Sequence, residues 1–131
     1  IDKDIFLICT GTGIAPFRSM AHHLHANSVA HENIHLIFGC RTLADALYLN
    51  ELKQLQQNHP NFFFHPVFSR EQQVAEGMYK GYVHQVYEQI YHANQPVTFY
   101  LCGWKNMIHE ARERLLKLGY DKSHVKFELY D

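Results

Sequence analysis

The sequence predicts an α/β fold, a doubly wound five-stranded parallel sheet in the order 3-2-1-4-5 with helices on both faces. Two observations carry this expectation. Short apolar runs alternate, along the whole chain, with stretches whose apolar residues recur every three or four positions. The runs are apolar on both faces, as strands covered by crossover helices on each side must be. A third observation bounds the size: 131 residues, 47% hydrophobic and 19% charged, suffice for one domain with a real core.

Taken in order, Ile5 to Cys9 reads as the first strand. Ile14, Phe17, Met20, Ala21 and Leu24 mark the first helix by their spacing. Ile34 to Phe38, closed by Gly39, is the second strand, and Leu47, Tyr48, Leu52 and Leu55 give a second helix that stops before Asn58. Phe62 to Phe68 forms the third strand, where Pro66 demands a bend or an edge position. A polar stretch from Ser69 to Gly77 leads to a helix around Val83, Val86, Tyr87 and Ile90. The fourth strand, Val97 to Leu101, runs directly into Cys102 and Gly103. Ile108, Ala111, Leu115 and Leu118 mark the last helix, which Gly119 is placed to end, and Val125 to Leu129 is the fifth strand. Ligands of such sheets lie outside the carboxyl ends of the strands, here at the switch point between strands one and four.

Composition narrows the partners. Twelve basic residues against 13 acidic ones, a net charge of −1, leave no basic excess for a nucleic-acid backbone or an anionic membrane. No apolar run approaches the roughly 20 residues that span a bilayer, and the N-terminus does not resemble a signal peptide. Cys9, Cys40 and Cys102 are an odd number without CxxC spacing, which argues against a disulfide framework and suits a reducing cytoplasm. Each ends a strand at the same edge, yet no chelating or resolving spacing accompanies them, so they read as packing cysteines. Of the eleven histidines, His22, His23 and His25 mostly avoid the apolar stripe of the first helix and are expected to face solvent. None of the three pairs at i, i+4, and no metal site is expected.

Between the first strand and the first helix stand Thr10, Gly11, Thr12, Gly13, Ile14, Ala15 and Pro16. Glycines there let the backbone turn tightly and approach a ligand, and the helix N-terminus beyond them favours an anion such as phosphate. Pro16 suits a first helical turn. The pattern is not the GxGxxG dinucleotide fingerprint, because Pro16 occupies the third glycine position and the second strand ends Gly39-Cys40-Arg41 without an acid for a ribose. On the residues alone it reads equally as a phosphate loop or a plain tight turn.

The extended run Gly11 to Ser19 resembles the pyrophosphate loop of the ferredoxin–NADP reductase family. Three further stretches resemble the same family in the same order. They are Phe38 to Arg41 with Leu47, Tyr48, Glu51 and Leu52; Ser69 to Gln72; and Tyr100 to Gly103 ahead of Met107. The resemblance covers essentially the whole chain. It implies a nucleotide site built from the glycine turn, Arg41, Ser69, Arg70, Lys80, Tyr82, Cys102, Gly103 and Met107. Ser69 and Arg70 together can fork onto a phosphate, which favours NADP(H) and leaves NAD(H) open, although this pair also reads as a solvated loop. Lys80 stands where the plant-type members carry an arginine, a point charge in place of a fork. Cys102 is implied beside the nicotinamide, against a plain reading as a small buried hydrophobe. Glu128 and Tyr130 are implied as the carboxylate and terminal aromatic at the flavin, with Asp131 a departure from the family ending, and the stretch reads equally as the plain end of an edge strand.

The family's reaction also needs FAD or FMN on a preceding β-barrel domain, whose flavin motif occurs nowhere in these residues. A start at Ile1 that reaches an apolar strand by Ile5 is expected of one domain excised from a larger flavoprotein reductase, inactive alone. The resemblance leaves the electron acceptor open among a ferredoxin, a flavodoxin, an oxygenase component, an iron–sulfur domain and free flavin. The alternative is a nucleotide-responsive binding module without catalysis.

Overall fold

The computed structural model describes residues 3–91 and 96–129, the side chains of 128 and 129 excepted. Six strands form one sheet: β1 (Asp4–Thr10), β2 (Ile34–Cys40), β3 (Phe62–Phe68), β4 (Tyr79–Lys80), β5 (Val97–Gly103) and β6 (Val125–Leu129). Their order is β4-β3-β2-β1-β5-β6, and every pairing is parallel. The five strands read from the sequence keep the expected order. The correction is β4, a sixth strand of two residues that pairs only with Val67 and Phe68. It leaves β3 as the open edge up to Pro66, where a residue without an N–H is tolerated.

Period-two alternation in the strands and helical stripes build two cores on opposite faces of this sheet. Helices α1 (Ile14–Ala26) and α2 (Leu49–Asn58) cover one face, where Phe17, Leu24, Leu52 and Leu55 meet Leu7, Leu36 and Phe64. Helices α3 (Val83–Ile90) and α4 (Lys105–Lys117) cover the other, where Val86, Tyr87, Ile108 and Leu115 meet Phe6, Ile37 and Phe99. Phe6 and Phe99 are fully buried and pack edge to face at 5.3 Å.

The second helix begins later than its apolar spacing suggests. Leu47 and Tyr48 are exposed and precede it, because Tyr48 takes a left-handed conformation (φ 59°) as the N-cap. Its ring lies beneath the Arg18 guanidinium at 4.3 Å, and Arg18 Nη2 donates to Glu51 at 2.9 Å, tying α1 to α2. His22 joins the same carboxylate through Nε2 at 2.9 Å, and the Arg18 bond, followed by that of His22, holds Glu51 down at about 2. His25 meets His59 nitrogen to nitrogen at 2.8 Å. Of the three helix histidines expected in solvent, His23 and His25 are exposed and His22 is partly so, and His22 and His25 also contact α2 and its C-cap. Gly119 (φ 100°) does follow α4, and the N–H of Tyr120 closes back on Leu115 O at 3.2 Å.

Candidate functional site

The glycine turn is pressed into the carboxyl edge of the sheet. Gly11 to Gly13 form a single 3-10 turn that leads straight into α1. A Cβ on Gly13 would stand 2.4 Å from Cys102 O and 2.6 Å from Cys102 C, so only glycine lets α1 start against the end of β5. Gly103 is seated as closely on Thr10, whose Oγ1 accepts the Trp104 N–H at 2.9 Å. The ends of β1 and β5 are thereby closed together at the topological switch point. No side chain caps the first turn of α1 among the described residues; the Ile14 N–H is taken by Gly11 O within the preceding turn and Pro16 has none, and the positive end of the helix faces the carboxyl edge of the sheet.

Beside the turn, between the N-termini of α3 and α4, lies a cleft of about 680 Å³. Of the residues expected at the site, Thr10, Arg41, Ser69, Tyr82 and Met107 line it. Tyr82 is 66% exposed at its mouth. Cys102 and Gly103 lie buried at the end of β5, next to Gly13. Thr12 and Ala15 are exposed on the turn, Pro16 and Gly11 are half-buried, and Gly13 and Ile14 are buried. Arg70 and Lys80 stand outside the cleft. Arg70 is exposed, its backbone N–H donating to Arg41 O at 2.8 Å, and Lys80 Nζ donates to Gln72 O at 3.0 Å. The backbone of Glu128 is opposite Cys102 in register, while the Glu128 side chain and Tyr130 lie outside the described residues.

The cleft also holds side chains that sequence reasoning missed. Trp104 lines it directly after Gly103, with the Arg41 guanidinium 5.6 Å from its ring centroid. The signal was available: the chain's only tryptophan follows the Cys102-Gly103 pair. Deeper in, buried His84 faces Tyr87 OH at 2.8 Å through Nδ1 and Glu110 at 3.6 Å through Nε2. Burial holds the His84 imidazole below its ordinary range and the Tyr87 phenol well above its own. Arg114, on the same wall, is committed to Glu88 and Glu110, each at 2.8 Å.

Two of the three cysteines lack the chemistry of reactive or chelating thiols. Burial, then the neighbouring Cys102 and Cys40, pushes Cys9 well up, and its Sγ donates to Ile37 O. Burial, then Asp45 and Glu71, pushes Cys40 up to about 12. Both stay protonated at neutral pH. Among the described residues no group of three His, Cys, Asp or Glu is arranged to hold a metal ion.

The sequence that builds this arrangement matches, over residues 7–113, the family described as oxidoreductase NAD-binding domain. The chain belongs to that family. The NAD-binding domain is 30% identical, over 95% of its length, to ferredoxin–NADP reductase B of Sorangium cellulosum, of which it covers 53%. It is 26% identical, over 97% of its length, to one subunit of the Na(+)-translocating NADH-quinone reductase of Methylococcus capsulatus, and covers 32% of that subunit. The domain thus spans between a third and about half of these relatives. Among solved structures, ferredoxin–NADP+ reductase from Plasmodium falciparum superposes with a TM-score of 0.77 at 30% identity, over 98% of this chain and 52% of that one. No helix among the described residues is long and apolar enough to cross a membrane.

Proposed function

We propose that this NAD-binding domain holds a pyridine dinucleotide across the carboxyl edge of its sheet, NADP(H) ahead of NAD(H), as the nucleotide half of a flavoprotein reductase. The observation that carries the reading is the seat of Gly13. That close approach seats the start of α1 on the end of β5 at the switch point, with the cleft beside it, which is where doubly wound sheets of this kind bind their ligands. In this reading Gly11, Thr12, Gly13, Ile14, Ala15 and Pro16 present the diphosphate site. Ser69 and Tyr82 take the adenosine end, with Arg70 and Lys80 reaching from the rim toward a 2′-phosphate. Thr10, Cys102, Gly103 and Met107 shape the pocket for the nicotinamide, and a role at the flavin for Glu128 and Tyr130 rests on the family resemblance alone.

The bound nucleotide supplies hydride chemistry, for a flavin, FAD or FMN, that a separate domain would hold. The residues here bind and orient. Three cysteines suit a reducing cytoplasm as the setting, and a ferredoxin, flavodoxin or oxygenase component is the expected acceptor class.

Calorimetric titration tests this directly. Binding of NADPH in the micromolar range with weaker binding of NADH is the expected result, and binding of neither nucleotide defeats the proposal. Arg70→Ala should then weaken NADPH roughly 10- to 100-fold, the loss of one charge-assisted contact or two, while NADH changes by less than about two-fold. Equal weakening of both would remove Arg70 from 2′-phosphate recognition.

A further inference from the structure

Three strand ends meet around Trp104. Its backbone N–H is held by Thr10 Oγ1, at the end of β1, at 2.9 Å. Its indole lies against Gly11, where a Cβ would stand 2.9 Å from Nε1 and 3.2 Å from Cε2. That contact exists only because residue 11 has no side chain. From the other side Arg41, just past β2, places its guanidinium 5.6 Å from the ring centroid. The ring is 40% exposed, so core burial does not account for where it lies.

The charges near the turn make this placement informative. No basic residue occurs from Thr10 to Pro16. Arg18, the first on α1, is bound to Glu51, and Arg114 is held by Glu88 and Glu110. Among the described residues, Arg41 and Lys105 are the Arg and Lys side chains of the cleft that form no ion pair, and of the two Arg41 is the one placed against an aromatic ring. Left alone, so long a side chain would spread over many rotamers and lose that freedom on meeting a ligand. An aromatic face restricts it beforehand. A cation–π contact uses none of the guanidinium's N–H groups as hydrogen-bond donors to a carboxylate, so they stay available for phosphate oxygens.

We propose that Trp104 is a positioning residue, holding the Arg41 guanidinium beside the glycine turn as the cation that receives the dinucleotide's diphosphate. The inference rests on the dinucleotide reading above and adds a residue that acts through another. Its test is a double-mutant cycle. NADPH is titrated into wild type, Trp104→Leu, Trp104→Phe, Arg41→Met and the Leu/Met double variant, with thermal melts to verify folding. Adenosine 2′-monophosphate, which lacks a diphosphate, is titrated alongside.

Trp104→Leu should weaken NADPH roughly three- to ten-fold, the range of a partly desolvated cation–π contact. Trp104→Phe should restore most of the affinity. The double variant should bind no more weakly than Arg41→Met alone, and adenosine 2′-monophosphate should bind all folded variants alike. The inference is overturned if Trp104→Leu binds NADPH like wild type, or if the two single losses multiply in the double variant. A wild-type domain that binds neither NADPH nor NADH would instead bring down the dinucleotide reading, and this inference with it.

Discussion

Gly13→Ala should cost the domain about 3 kcal/mol of stability, a fall of roughly 10 °C in Tm, and abolish nucleotide binding. The sign is the informative part. Gly13 has ordinary right-handed backbone angles (φ −62°, ψ −11°), so alanine meets no conformational penalty there. On propensity alone the substitution at a helix start should be neutral or mildly stabilising. Against that gain stands a methyl 2.4 Å from Cys102 O and 2.6 Å from Cys102 C. Both are backbone atoms at the end of β5, and no rotamer change can move them. Relief requires α1 to lift off the end of β5, which opens the junction between Thr10 and Trp104 and shifts every N–H of the turn. Urea unfolding with a nucleotide titration checks both effects. A variant as stable as wild type would show that the close approach is not what glycine is for at this position.

Most of this framework was legible in the sequence because burial writes itself as period. The stripe Ile14, Phe17, Ala21 and Leu24 and the run Phe6 to Cys9 are buried as their spacing requires. What escaped was set by single contacts between distant residues. Tyr48 looked like part of a helical stripe, but its left-handed φ and its place under Arg18 depend on α1, far off in sequence. The two residues of β4 carry no period at all, and their pairing to Val67 and Phe68 is a tertiary event. At the site, Thr10, Arg41, Ser69, Tyr82 and Met107 line one cleft, while Arg70 and Lys80 stand outside it. Trp104 was overlooked because its meaning lies in what touches it, Gly11, Thr10 and Arg41, and none of the three is a sequence neighbour.

Acid should unfold the domain well before its carboxylates titrate. His65 spans the sheet between His35, at 2.9 Å, and Tyr79 OH, at 3.0 Å. Burial, and then the charge of His35, lowers its imidazole to about 4 from an ordinary 6.5. Between those two values the unfolded chain binds a proton that the folded domain refuses, so stability rises with pH through this window and levels off above it. From pH 7 down to pH 5 the loss from His65 alone is roughly 2 kcal/mol, a large share of what a domain this size has to spare. His35, His59 and His84 are each held low chiefly by burial and act with the same sign. The Arg18–Glu51 pair does not confuse the measurement. Glu51, held at about 2 against an ordinary 4.5, loses its contribution only as pH falls below that ordinary value. Urea midpoints at pH 7, 6 and 5 should therefore fall steeply in wild type. His65→Gln, which keeps a polar group between His35 and Tyr79 but cannot take up the proton, should flatten the slope. An equally steep slope in that variant would move the acid sensitivity to the other buried histidines.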